Sequence, residues 1–355
     1  MSLAVATHAP EGAPQPACSF LEHQYALLGI NQHMQASNIT EICINRPGEI
    51  HLETPSGWRQ QSVPQLTLER ARQFCVATLN ESNTGQRISD AQPLVSLTFP
   101  TGQRAQFVIP PACAPGELSI TIRLPSTGTM TLASYRKAGY FDHVQSARAG
   151  LADEDTELLA LLQRGDHVGF FQKAVQYRRN IVVAGATGSG KTTFMKSLVS
   201  LIPADERVVT IEDARELFIT QQNRVHLLYS KGGQGSAAIT AKTCMEACLR
   251  MRPDRIILAE LRGDETFYFM RNCASGHPGT ITSCHAGSTS QAWDQLALMI
   301  KASAEGSNLD YAVIKHLLHL TVDIIVHLQV HKGRRLVSAI DFDPLKRIGR
   351  AAAPC

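Results

Sequence analysis

Gly185-Ala186-Thr187-Gly188-Ser189-Gly190-Lys191-Thr192 is the stretch that decides the fold. It matches G-x-x-x-x-G-K-[ST], the phosphate loop. Three glycines let successive backbone N–H groups turn inward around a triphosphate, and the helix that starts there adds its positive N-terminal end. Gly185 to Thr193 are therefore the expected nucleotide-binding residues. Lys191 is placed to reach the β- and γ-phosphates, and the Thr192 hydroxyl to meet Mg²⁺, with ATP the expected nucleotide. The context agrees, because the apolar run Ile181–Ala184 precedes the loop, and a helix carrying Phe194, Met195, Leu198, Leu201 and Ile202 on one side follows it, stopping at Pro203.

Around this centre, strands and helices alternate from about residue 156 onward, which predicts an α/β domain with a mostly parallel sheet. Further strands are expected at Arg207–Ile211, Arg255–Leu261, Gly279–Cys284 and Val322–Leu328, the last pairing with Leu336–Phe342 through a His331-Lys332-Gly333 turn. Residues 18–130 read as a separate α+β domain. It has a hairpin of Glu41–Ile44 with Glu49–Glu53 around Asn45-Arg46-Pro47-Gly48, and a second of Leu94–Phe99 with Ala105–Ile109. A helix is expected over Leu66–Leu79 and a strand over Leu118–Leu124. Residues 131–155 read as a linker, long enough to reach a neighbouring subunit. Residues 1–17 read as a disordered tail.

With 355 residues, 44% of them apolar, the chain has material for two cores. No stretch is apolar for long enough to cross a bilayer, and the nine scattered cysteines contain no C-x-x-C pair, which suits a reducing, cytoplasmic setting. Residues 1–180 hold 14 Lys/Arg against 15 Asp/Glu, whereas residues 181–355 hold 20 against 16. That asymmetry suits a membrane surface or nucleic acid without choosing between them.

Hydrolysis needs groups that hold metal and order water, and in an open parallel sheet these sit at strand ends. Glu212 follows Val208–Ile211, and Glu260 ends Ile256–Ala259. Glu260 is assigned to water activation or outer Mg²⁺ contact, and Glu212 to metal or water positioning. His285, after the strand ending at Cys284, is placed to touch a γ-phosphate or hold a catalytic Glu. His277 is a weaker candidate.

Together these residues resemble the traffic ATPases of bacterial type IV secretion and conjugation, related to type II secretion and type IV pilus motors. The resemblance rests on the phosphate loop, the acidic box Thr210-Ile211-Glu212-Asp213, the Walker B region from Arg250-Met251-Arg252-Pro253-Asp254-Arg255 to Ala259-Glu260-Leu261-Arg262-Gly263, and the histidine box Gly276-His277 to His285-Ala286. In the N-terminal half, Thr40-Glu41-Ile42, Asn45–Glu49, Gly102-Gln103-Arg104 and Ile120–Arg123 resemble the type IV secretion branch. Ala259 stands where many members carry Gly, and no Asp precedes Glu260 on its strand. The resemblance implies a RecA-like ATPase domain and a homohexamer on the cytoplasmic face of the inner membrane. Its implied partners are inner-membrane channel components, the coupling protein and the membrane surface. It also implies that Arg104 and Arg123 close on the γ-phosphate. Two other classes compete: a nucleic-acid translocase, disfavoured by aromatics at only 6% and dispersed Lys/Arg, so that strong direct DNA binding is not expected; and a non-hydrolysing nucleotide switch acting as a scaffold.

Overall fold

The computed structural model describes residues 20–82, 84–125, 128, 130–144, 150–230 and 237–346. The expected tail lies outside them. Helices α1 (Phe20–Leu27) and α2 (Asn31–Met34) lead into β1 (Glu41–Ile44), β2 (Glu49–Thr54), β3 (Gly57–Ser62), α3 (Leu68–Glu81), β4 (Leu94–Thr98), β5 (Arg104–Val108) and β6 (Ser119–Arg123). These strands form one antiparallel sheet in the order β3-β2-β1-β6-β5-β4. Both expected hairpins are present, and β6 joins them by pairing with β1 on one side and β5 on the other. Thr67 caps α3 by accepting the Arg70 N–H, and the helix buries Ala71, Phe74, Cys75, Thr78 and Leu79. Tyr25, Phe99 and Phe107 pack around Phe74.

Helix α4 (Leu132–Lys137) falls inside the expected linker and buries no side chain. Helices α5 (Asp153–Gln163) and α6 (His167–Gln176) then precede β7 (Ile181–Gly185), α7 (Lys191–Val199), β8 (Val208–Glu212), β9 (Arg224–Leu228), α8 (Ala241–Cys248), β10 (Arg255–Leu258), α9 (Glu265–Ala274), β11 (Ile281–Cys284), α10 (Thr289–Ala302), α11 (Tyr311–Thr321), β12 (Ile324–His331) and β13 (Arg334–Asp341). The second sheet runs β13-β12-β7-β11-β10-β8-β9, parallel throughout except for β13. Alternate residues of β7 serve two cores: Val182 and Ala184 pack with Cys244, Phe269 and Leu296, while Ile181 and Val183 pack with Phe170, Met195 and Leu198. Helices therefore cover both faces, and each fully buried Val, Ile, Leu, Met or Phe side chain among them contributes roughly 1.5–3 kcal/mol.

The N-terminal sheet meets the parallel one at the beginnings of its strands, and the connection from β5 to β6 continues along the β9 edge to the strand ends, where the Ala112 carbonyl accepts the Leu228 N–H at 2.8 Å and Glu117 pairs with Arg215 at 3.3 Å. Arg207, immediately before β8 and fully buried, donates to Asn45 Oδ1 at 2.9 Å, to Thr121 Oγ1 at 3.3 Å and to the Met251 carbonyl at 2.8 Å. Trp58 Nε1 donates to Asp254 Oδ2 at 2.8 Å, just before β10, and Asn45 Nδ2 to Asn223 Oδ1 at 2.9 Å, just before β9. Among the described residues, no helix is long and apolar enough to cross a membrane.

Candidate functional site

Strand β7 is buried along its whole length and ends at Gly185. A Cβ there would lie 2.5 Å from the Leu328 carbonyl oxygen and 2.6 Å from Ser189 Oγ, so no side chain fits. Gly190, at φ 96°, is the left-handed residue that opens α7, and a Cβ on it would lie 3.0 Å from Arg335 Cδ. The first N–H groups of α7 have no partner within the helix and point into the loop. Ser189 ties the loop by donating its hydroxyl to the Ala186 carbonyl at 2.8 Å. Ala186, Thr187 and Gly188 are exposed, Thr192 half-buried and Thr193 exposed. The mostly buried Lys191 ammonium donates to the carbonyls of Gly185 (2.9 Å) and Ala186 (3.2 Å). Burial lowers its pKa, partly opposed by the Glu260 carboxylate.

Because β11 is inserted between β7 and β10, His285 emerges between Lys191 and Glu260. Lys191 Nζ is 3.4 Å from His285 Nδ1, and His285 Nε2 is 2.7 Å from Glu260 Oε1. An ammonium only donates, so Nδ1 accepts and Nε2 carries the proton it gives to Glu260. Arg262 contacts the other Glu260 oxygen through Nε and Nη2, and its Nη1 donates to Asp213 Oδ2 at 3.2 Å. One polar chain thus runs from Lys191 through His285, Glu260 and Arg262 to Asp213, across the C-terminal ends of four strands.

Glu212 departs from expectation. It is fully buried; Oε1 accepts from Thr210 Oγ1 at 2.6 Å and lies 3.2 Å from His226 Nδ1, while Oε2 accepts the backbone N–H groups of Glu216 (2.8 Å) and Leu217 (2.7 Å). Burial pushes its pKa up, but hydrogen bonds from His226, Thr210 and those two amides outweigh it and hold the carboxyl below its ordinary value. With both oxygens committed to the fold, this geometry leaves no lone pair aimed at a metal or water. Glu212 anchors the loop that presents Asp213.

Arg104 and Arg123 also fall elsewhere. They are direct partners across β5 and β6, and Arg123 pairs across β1 with Glu41. With Arg178, Arg250, Arg252 and His277 they line a cleft of about 880 Å³ to which no phosphate-loop residue contributes. Arg178, Arg252 and His277 precede β7, β10 and β11, so this cleft lies at the strand beginnings. Lys191, Glu260 and His285 lie at the strand ends, on the order of 15 Å away along a five-residue strand. Within one chain the two arginines do not approach the loop.

Two arginines of the site carry no role in the sequence-based expectation, Arg262 and Arg335. Arg262 had a signal, two positions after Glu260. Arg335 had none, since β13 brings it to the loop only through tertiary pairing, where Nε donates to the Gly188 carbonyl at 3.0 Å.

Comparison with known proteins gives the family. A family model described as "Type II/IV secretion system protein" matches residues 29–334. The chain is 47% identical over 312 residues to the type IV secretion system protein VirB11 of Brucella abortus biovar 1 (strain 9-941), covering 86% of each chain. It is 39% identical over 329 residues to VirB11 of Bartonella henselae, covering 90% of this chain and 92% of the relative. Identity to PtlH of Bordetella pertussis is 40% over 326 residues, covering 91% and 94%. The crystal structure of the VirB11 ATPase from the Brucella suis type IV secretion system in complex with sulphate matches with a TM-score of 0.86 at 44% identity, over 93% of this chain and 99% of that one. The RecA-like strand order, the loop and these matches together show that the chain belongs to the type II/IV secretion system protein family, as a type IV secretion system ATPase.

Proposed function

We propose that the chain is a Mg²⁺-dependent ATP hydrolase that works as a homohexamer at the cytoplasmic face of the inner membrane. It energises assembly of a type IV secretion or conjugation system, or transport through it, in contact with inner-membrane channel components and the coupling protein. The observation that carries the reading is the continuous chain Lys191–His285–Glu260 beside a glycine cradle. The residues present suit a metal-bound triphosphate, since the loop offers unpaired amides and a hydroxyl rather than a preformed cage. Among the described residues no group of three or more His, Cys, Asp and Glu could hold an ion, and Mg²⁺ commonly arrives on phosphate with few protein ligands.

Residues 185–193 hold the nucleotide in this reading. Lys191 exchanges the Gly185 and Ala186 carbonyls for phosphate oxygens, and the Thr192 hydroxyl is the protein's ligand to Mg²⁺. Mg²⁺, when bound, neutralises charge on the transferring group. Glu260 orders the attacking water and accepts its proton, and His285 orients Glu260 through Nε2. Arg104 and Arg123 act on a neighbouring subunit's nucleotide. A supporting parallel is that a 44% identical relative was solved with sulphate, an anion of phosphate-like size and shape.

Steady phosphate release from the wild type, abolished in Lys191→Ala, tests the reading. Glu260→Gln should keep nucleotide affinity and lose turnover by about 10²-fold or more. Normal turnover in either variant would sink it. Strong stimulation by single-stranded DNA with none by lipid vesicles would favour a translocase instead.

A further inference from the structure

Strand β7 stops at Gly185, but its neighbour runs further. Leu328 of β12 is the Gly185 partner, and β12 continues through Gln329 and Val330 to His331, where the chain turns back into β13. The β12–β13 hairpin therefore overhangs the end of β7, where the phosphate loop begins. Its register pairs Arg335 with Val330, past the Gly185 partner, and so brings Arg335 level with the loop.

Three loop glycines meet this hairpin. Gly185 lies against the Leu328 carbonyl, the stem of Arg335 covers Gly190 so that a Cβ there would come within 3.0 Å of Cδ, and the Gly188 carbonyl accepts from Arg335 Nε at 3.0 Å. Other bonds shape the loop from within. The Ala186 carbonyl accepts the Ser189 N–H at 3.2 Å, the Ser189 hydroxyl at 2.8 Å and the Lys191 ammonium at 3.2 Å. The Gly188–Ser189 peptide is accordingly held from both sides, its N–H by Ala186 and its carbonyl by Arg335. A glycine-rich loop has much conformational freedom to lose when it is fixed around a ligand. A loop already fixed by the fold spares the ligand that cost.

We propose that Arg335 is a positioning residue, which fixes the Gly188–Ser189 peptide from β13 and so shapes the phosphate loop in advance for nucleotide. The brace works through the Nε donor and not through contact with substrate. ATP and ADP both seat a β-phosphate in the loop, so both gain equally, and Lys191, Glu260 and His285 are left as they are. The inference rests on the reading of residues 185–193 as the nucleotide-binding residues.

The test uses the full-length protein, with equilibrium binding of fluorescent ADP and ATP in the presence of Mg²⁺, and phosphate release. Three side chains separate the donor from the charge. The amide nitrogen of Gln stands as many bonds from the backbone as Nε of Arg and donates without charge, Met keeps an apolar stem with no donor, and Lys keeps the charge one bond further out. Arg335→Met should weaken ADP and ATP about fivefold each, and KM for ATP should rise in step while kcat stays within about twofold. Arg335→Gln should recover most of the affinity. The opposite order, with Arg335→Lys restoring affinity and Arg335→Gln no better than Arg335→Met, would overturn the proposal and make the residue a charge acting on phosphate. Unchanged affinity in Arg335→Met, with or without a lower melting temperature, would reduce the contact to a structural one. Amide hydrogen exchange over residues 186–190 judges the brace without nucleotide. Faster exchange in Arg335→Met than in wild type and Arg335→Gln supports it, and equal rates overturn it. Wild-type protein that binds no nucleotide would instead defeat the reading of the loop, and hydrogen exchange would still decide on the brace.

Discussion

Two buried carboxylates show how little residue type alone decides. Glu212 is ionised by its hydrogen bonds, whereas Glu41 has an oxygen with no partner and only a 3.8 Å contact to Arg123. Burial pushes Glu41 up to about 7, opposed by Arg123. Between the ordinary carboxylate pKa and about 7 the unfolded chain loses this proton and the folded chain keeps it, so stability falls as pH rises through that window. Glu41→Gln removes the cost, and should stabilise the protein by about 2–3 kcal/mol at pH 8 and by about a quarter of that at pH 5. Thermal unfolding at the two pH values checks this, and an equal shift at both would refute it. Glu212 has the opposite sign: its contribution is present above the ordinary carboxylate pKa and is lost as pH falls through its depressed one. Strand ends made Glu260 and His285 visible in the sequence. The fate of Glu212 was not, because it depends on residues 213–217 folding back over it.

At the scale of elements, the β7–α7 turn was the most legible feature, since its glycines answer to distinct steric demands. A Cβ on Gly188, at φ 79°, would meet nothing within 4 Å, whereas one on Gly185 would strike the Leu328 carbonyl at 2.5 Å. Gly188→Ala should therefore cost only the left-handed conformation, about 1 kcal/mol. Gly185→Ala should cost about 3 kcal/mol or more, because backbone of β12 must move. Thermal melts and binding of a fluorescent nucleotide would rank the two, with Gly185→Ala losing both stability and binding. Elements without such demands escaped the sequence. Strand β3 exposes most of its residues and is held by backbone pairing to β2, so it shows no apolar alternation. Strand β9 is a short sheet-edge segment. Helix α4 is too short and too exposed to show a helical stripe. The position of β11 between β7 and β10, which gives His285 its two contacts, is a property of the sheet order and of no single segment.

For the whole molecule, the decisive fact is which end of the parallel sheet the N-terminal sheet covers. Asn45, Trp58 and Glu53 engage Arg207, Asp254 and Arg252 at the strand beginnings, while nucleotide chemistry belongs to the strand ends. If Arg104 and Arg123 act on phosphate, they must act on another subunit's loop, and the ring then becomes part of the site. Mixing two inactive proteins distinguishes the alternatives. A Lys191→Ala subunit lacks a working loop but keeps both arginines, and an Arg104→Ala/Arg123→Ala subunit keeps its loop but lacks the arginines. If the arginines worked within their own chain, every subunit in a mixed ring would stay inactive. Acting between chains, an intact loop sits beside an intact pair of arginines wherever the two kinds are neighbours in the right order. Random co-assembly at equal amounts should then restore about a quarter of wild-type phosphate release per subunit. Recovery should rise as subunits exchange and vanish when a third substitution, Glu260→Gln, is placed in the arginine-deficient partner, because that partner supplies the only competent loop.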